Sequence, residues 1–248
     1  MPSSDASDAA TLARHGEIWA VRPELRCVYQ EWFRWLLDAA GGLAPVVEVG
    51  SGPGFFKAFA PRLVATDITP GARADVRCDA CVLPFGTGKV GALVMGDALH
   101  HLPRPLDFMA EAARVLRPGG RLAMVEPWVT PASFLLYRFF HHEECRLGID
   151  VARPFARAGK RALDGNSAIP RLVLRRWRRY PGPLRLIRTR AFVGLPYLVT
   201  FGFQRARPLP RALGAVAEVL ERATGPLRPL AASRILAVWE KSPNGAAA

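Results

Sequence analysis

The chain has 248 residues, half of them apolar, and a formal net charge of +13. That length holds one α/β domain with additions, and the apolar share is enough for a substantial core. Four cysteines (Cys27, Cys78, Cys81, Cys145) show neither secretory pairing nor a second C-x-x-C for zinc. The longest uncharged apolar run, Ala191 to Phe203, is too short and too broken by Pro196 to span a bilayer.

In chain order, Met1 to Ala10 is polar and acidic, without the basic and apolar regions of a signal peptide. Residues 1–13 read as disordered. Pro23 to Ala40 reads as an amphipathic helix with proline at its first position, stopped by Gly41-Gly42. An alternating series follows. Strands are expected at Val46–Val49, Leu63–Asp67, Ala74–Arg77, Ala92–Met95 and Arg121–Glu126. Helices are expected at Phe55–Ala60 and Leu106–Leu116, with a turn at Arg117 to Gly120. This spacing implies a parallel, doubly wound sheet. Beyond Pro127 the pattern loosens. A helix is expected over Ala132–Glu144, strands at Leu184–Arg190 and Ile235–Glu240, and a helix at Arg211–Ala223 between them.

The most informative stretch is Val46-Val47-Glu48-Val49-Gly50-Ser51-Gly52-Pro53-Gly54. A buried strand runs into glycines where backbone must approach a ligand closely. Asp67 follows 19 residues after Glu48, at the end of the second strand. A carboxylate there can meet ribose hydroxyls. A dinucleotide fingerprint would place its third glycine at Phe55; here it comes one position early, at Gly54. The spacing therefore disfavours a nicotinamide oxidoreductase. Three further blocks follow in order: Cys78-Asp79-Ala80-Cys81-Val82-Leu83-Pro84-Phe85, then Leu93 to Leu102 ending in Leu99-His100-His101-Leu102, then Glu111 to Leu122 with Arg117-Pro118-Gly119-Gly120 inside it.

Over residues 43–127, the glycine motif and these blocks resemble the class I S-adenosylmethionine (SAM) methyltransferases of the small-molecule, methyltransferase-11-like kind. The resemblance implies a Rossmann-like, mostly parallel seven-stranded sheet with a helical N-terminal cap and a substrate-lid insertion. It divides the chain into a tail and cap (1–42), a SAM-binding core (43–127), and a lid with completing strands and helices (128–248). It implies SAM as cofactor, no metal, and a cofactor site drawn from Glu48, Gly50, Ser51, Gly52, Gly54, Asp67, Ile68, Asp79, Ala80, Met95 and Gly96. Gly50, Ser51 and Gly52 would pass under the methionine part and Asp67 would bind the ribose. Ile68, Asp79 and Ala80 would meet the adenine, with main chain near Met95 and Gly96 at the amino-acid end. The helix Pro23–Ala40 would close over the cofactor. At Gly91 the family often has aspartate, read here as a minor structural change. No N-P-P-Y-like motif or Pro-Cys nucleophile of the nucleic-acid base methyltransferases is present.

A protic acceptor would benefit from a general base. His142, His101 and Glu143 are the candidates taken forward, from a set that also includes His100, His141 and Glu144. His100 and His101 also read as packing below the cofactor, Glu126 as a cap or ion pair, and the cluster at 141–144 as helix surface. Charge is uneven: residues 151–248 carry 19 Lys+Arg against 4 Asp+Glu. Such a bias suits an anionic partner, or is compositional. The run Arg171 to Tyr180 interleaves arginine with aromatics. It reads as a solvated face, a nucleic-acid track, or a membrane-surface segment with Trp177 and Tyr180 at headgroup level. The reading favoured is transfer of a methyl group to a small, hydrophobic or lipid-like acceptor, by O- or C-methylation. The location expected is cytoplasmic, with peripheral membrane contact through the basic half. The rivals are an RNA methyltransferase and a non-catalytic SAM-binding partner subunit.

Overall fold

The structure, a computed structural model, describes residues 4–140, 144–154, 162–177 and 182–243. Seven strands form one sheet: β1 (Val46–Val49), β2 (Val64–Asp67), β3 (Val76–Arg77), β4 (Val90–Gly96), β5 (Leu116–Pro127), β6 (Leu184–Phe192) and β7 (Arg234–Lys241). Their order is β3-β2-β1-β4-β5-β7-β6. The first five are parallel, and β7 runs antiparallel between β5 and β6. The order reverses between β1 and β4, where ligands of open α/β sheets bind beyond the carboxyl ends of the strands.

The central strand β4 is apolar throughout because helices cover both faces of the sheet. Val90 through Met95 is buried without interruption. Two helices precede the sheet: α1 (Ser4–Val21) and α2 (Pro23–Ala40). Helix α2 buries Leu25, Val28, Trp32 and Leu36 in the core, against Val94 and Ala123 of the sheet. Between the strands run α3 (Phe55–Phe59) and α4 (Pro105–Val115). After β5 come α5 (Pro131–Phe140) and α6 (Ile169–Trp177), and after β6 come α7 (Leu195–Thr200), α8 (Arg211–Ala223) and α9 (Arg228–Ala231).

Several expectations change. Residues 4–13 belong to α1 rather than to a disordered tail. Leu12 and Ile18 are buried, and buried Asp8 accepts a 2.9 Å hydrogen bond from the Ala162 amide. Apolar contacts at wide spacing tie this polar helix down, and its composition hides them. The strand expected at Ala74–Arg77 shortens to two residues. The turn at Arg117 to Gly120 is a bulge inside β5: Val90 pairs with Leu116 and Ala92 with Arg121. Gly91 is a strict requirement rather than a minor change, since a Cβ there would lie 2.6 Å from the Ala44 carbonyl oxygen.

The membrane reading of Trp177 is also overturned. Trp177 is buried, and its indole donates to the Leu184 carbonyl at 2.9 Å. The apolar side of α6 packs into the core and leaves Arg175 and Arg176 exposed. Residues 178–180, with Tyr180, lie outside the described residues.

Candidate active site

The glycine loop between β1 and α3 turns on left-handed backbone at Gly50 (φ 78°), Gly52 (φ 48°) and Gly54 (φ 80°). A Cβ on Gly50 would stand 2.6 Å from that of Ala98, so the loop lies pressed on the turn after β4. Asp67 ties β2 to this loop. One carboxylate oxygen accepts from the Gly52 amide at 2.7 Å and the other from the Thr69 amide at 2.7 Å. The site therefore opens at the carboxyl ends of β1, β2 and β4.

A single cavity of about 1130 Å³ spans this edge. One end is lined by Glu48, Gly50, Ser51, Gly52, Asp67 and Ile68, joined by Asp79, Ala80 and Gly96. Two sequence-derived candidates stand apart from it. Gly54 caps α3, and the Met95 side chain is buried in the core, leaving only its main chain near the rim. Gly96 has open space where a Cβ would be, as a strand end facing a ligand requires.

Glu48 is almost wholly buried, and its Oε2 has no hydrogen-bond partner. Burial above all, reinforced by the nearby Asp67 and Asp75, pushes its carboxyl up to about 8; Lys57 opposes the shift. The four cysteines form no disulfide, and burial raises the Cys81 thiol to about 12, where it is inert.

Cover comes from α1 as well as α2. Leu12 is the side chain nearest the position a Gly52 Cβ would take, at 3.8 Å, and Trp19 stacks on Phe55 with centroids 4.0 Å apart. The expected closing helix, α2, spends much of its apolar face on the core and offers Tyr29, Trp32, Phe33 and Leu36 to the cavity wall.

The other end of the cavity is aromatic, with Tyr137, Tyr197, Phe201 and Phe203 joining Tyr29 and Trp32. Buried Arg22 anchors this wall, donating to the carbonyls of Thr200, Gly202 and Arg205 at 2.8, 3.0 and 2.5 Å. Within the wall sits a charged pair that the sequence reading missed. Asp97, at positive φ (53°) just after β4, pairs with Arg234, the first residue of β7, and accepts from the Tyr29 hydroxyl at 3.0 Å. The Arg234 guanidinium lies over the rings of Tyr197 and Trp32, at 4.2 and 5.0 Å. Its Nε is buried without a hydrogen-bond partner. Asp97 sits inside the Leu93–Leu102 block and could have been noticed there. Arg234 lies 137 residues away and carries no local signal.

Of the proposed bases, His142 and Glu143 lie outside the described residues, as does His141. His101 lines the cavity beside His100, ring centroids 4.1 Å apart. His100 is buried, with Nδ1 2.7 Å from Glu126 Oε2. Glu126 Oε1 accepts from the amides of Ala98 and Leu99 at 2.8 Å each, so Glu126 fixes the turn after β4. Glu144 pairs with Arg146 at 2.7 Å. Asp97, His100 and Glu126 are close enough to share a metal ion. Their donor atoms are committed to Arg234, to each other and to backbone amides.

The sheet order and the glycine-lined end define a Rossmann-like, mostly parallel α/β fold. Residues 47–124, under a third of the chain, match the family model described as a methyltransferase domain. An uncharacterised chloroplastic methyltransferase of Arabidopsis thaliana is 53% identical over 45 residues, 18% of this chain and 13% of that protein. The 27-O-demethylrifamycin SV methyltransferase of Amycolatopsis mediterranei is 39% identical over 54 residues, 22% of this chain and 20% of that one. The matches to curated relatives thus span a small part of their length. Geranyl diphosphate C-methyltransferase from Streptomyces coelicolor was solved with Mg2+, geranyl-S-thiolodiphosphate and S-adenosyl-L-homocysteine. It shares the fold at a TM-score of 0.56 and 16% identity, over 85% of this chain and 75% of that one.

Proposed function

We propose that this methyltransferase transfers the methyl group of SAM to a small, hydrophobic acceptor carrying one polar end. The observation that carries the reading is the continuity of one cavity, glycine-lined at one end and aromatic at the other. The glycine-lined end suits the cofactor. Its left-handed glycines and the open face of Gly96 leave room for close backbone approach, and Asp67 offers carboxylate oxygens to ribose hydroxyls. Half-exposed Ile68, with Asp79 and Ala80 on the same cavity wall, would meet the adenine. Buried Glu48, with a free oxygen, suits the cationic amino-acid end.

Bound SAM supplies an already activated methyl group, so the chain contributes mainly position and exclusion of water. Glu126 holds the amides of Ala98 and Leu99, which fixes the turn over the reacting end. The aromatic wall takes the apolar body of the acceptor. The Arg234–Asp97 pair, with Tyr29, meets its polar end. His101 is the described residue best placed to hold a proton at that boundary. Both O- and C-methylation fit such a wall.

The test is incubation with methyl-labelled SAM and total cell extract, separated into lipid, small-molecule and RNA fractions. Label in the lipid or small-molecule fraction is the expected result. Label in RNA, with salt-dependent retention, overturns the acceptor reading. SAM binding by calorimetry without turnover on any fraction overturns the catalytic one.

A further inference from the structure

Helix α8 rides on the surface. Among its described side chains Ala217 is the buried one, and Glu221 fastens the helix by accepting from the amides of Val193 and Leu195 at 3.1 and 2.8 Å. Leu213 and Leu220 flank Ala217 along the helix and Val216 and Val219 carry the apolar strip around to its far side; they are 41, 54, 53 and 64% exposed. The stripe continues through the turn Gly225–Leu227 and into α9, where Leu227 and Leu230 are 55 and 61% exposed. These elements touch in succession. Single exposed apolar residues are ordinary, whereas a run of them across adjoining elements marks an interaction surface.

The surrounding charge chooses the partner. Arg205 and Arg207 precede the helix, and Arg222 and Arg228 lie along the stripe. Two acids, Glu218 and Glu221, share the region, and Glu221 is spent on backbone amides. An apolar stripe with an arginine border is the pattern of a helix lying in the headgroup layer of an anionic bilayer. A second copy of the chain would bring the same arginines against themselves. A nucleic acid would use the arginines and leave the stripe in water. Phe201, 60% exposed at the end of α7, lines the cavity, and α7 packs along α8.

We propose that the outer face of α8, with the turn and helix after it, docks on an anionic lipid surface and brings the Phe201 side of the cavity to it. The test is co-sedimentation of the full chain with vesicles of phosphatidylcholine alone and of phosphatidylcholine mixed with phosphatidylglycerol. The protein is expected on the mixed vesicles and little on the neutral ones. Val219→Glu with Leu220→Glu, at exposed positions, should lower that binding at least roughly tenfold, with circular dichroism and SAM affinity unchanged. Arg222→Glu should weaken it further, and added salt should do the same. Equal recovery on both vesicles, recovery on neither, or binding that the double glutamate variant leaves intact would overturn the proposal. Dimerisation by ultracentrifugation that the same variant abolishes would overturn it in favour of a second copy.

Discussion

The two ends of the cavity are built from different parts of the chain. The glycine-lined end is largely backbone: turns at Gly50 and Gly52, a strand end at Gly96, and amides held by Asp67 and Glu126. The aromatic end is side chain, drawn from α2, α5, α7 and the start of β7. A backbone grip needs a short run of residues with permitted dihedrals, so it leaves a compact trace in sequence. A wall of side chains needs only suitable size at positions scattered through the chain.

Four experiments bear on it. Arg234→Met removes a buried guanidinium and leaves half-buried Asp97 without its ion-pair partner, which should cost up to about 3–5 kcal/mol of stability in denaturant titration. Adding Asp97→Asn should recover part of that loss, because asparagine tolerates the left-handed backbone at position 97. A loss no greater than for a surface arginine would remove the pair from the architecture of the aromatic end. Asp67→Ala should weaken SAM roughly 100-fold or less, the scale of charge-assisted hydrogen bonds, read by calorimetry. It also frees the amides of Gly52 and Thr69. Unchanged affinity would refute the ribose assignment.

Gly50→Ala places a Cβ 2.6 Å from Ala98 at a φ of 78°. It should cost about 1–3 kcal/mol of stability and weaken SAM binding more than binding of any acceptor. Glu48→Gln shows its effect only as a pH dependence, absent near pH 4. Glu48 titrates near 4.5 when unfolded and about 8 when folded. Between those values the folded chain keeps a proton that the unfolded chain has released. Stability from this group therefore falls as pH rises through the window. The glutamine variant should melt above wild type at pH 8 and converge with it near pH 4. At this chain length each kcal/mol moves Tm by roughly 2–4 °C. A parallel decline in both proteins would exclude Glu48 as the cause.

Strands β1, β2 and β4, the glycine turn, Asp67 and helix α8 were legible in the sequence, because each is written in contiguous residues with a clear period or a turn that demands glycine. The strictness of Gly91 was not, since it comes from the backbone of Ala44 lying across it. Neither was α1, whose few buried contacts are spread along a polar helix. The Arg171 to Trp177 run drew attention by composition, yet burial assigns its tryptophan to the core and leaves the exposed apolar face to α8. The alternating sheet and the glycine-lined end could be read from contiguous residues, because local backbone geometry shapes them. The aromatic end could be seen in the folded chain alone, because Tyr29, Asp97 and Arg234 meet through the sheet order and the antiparallel return of β7.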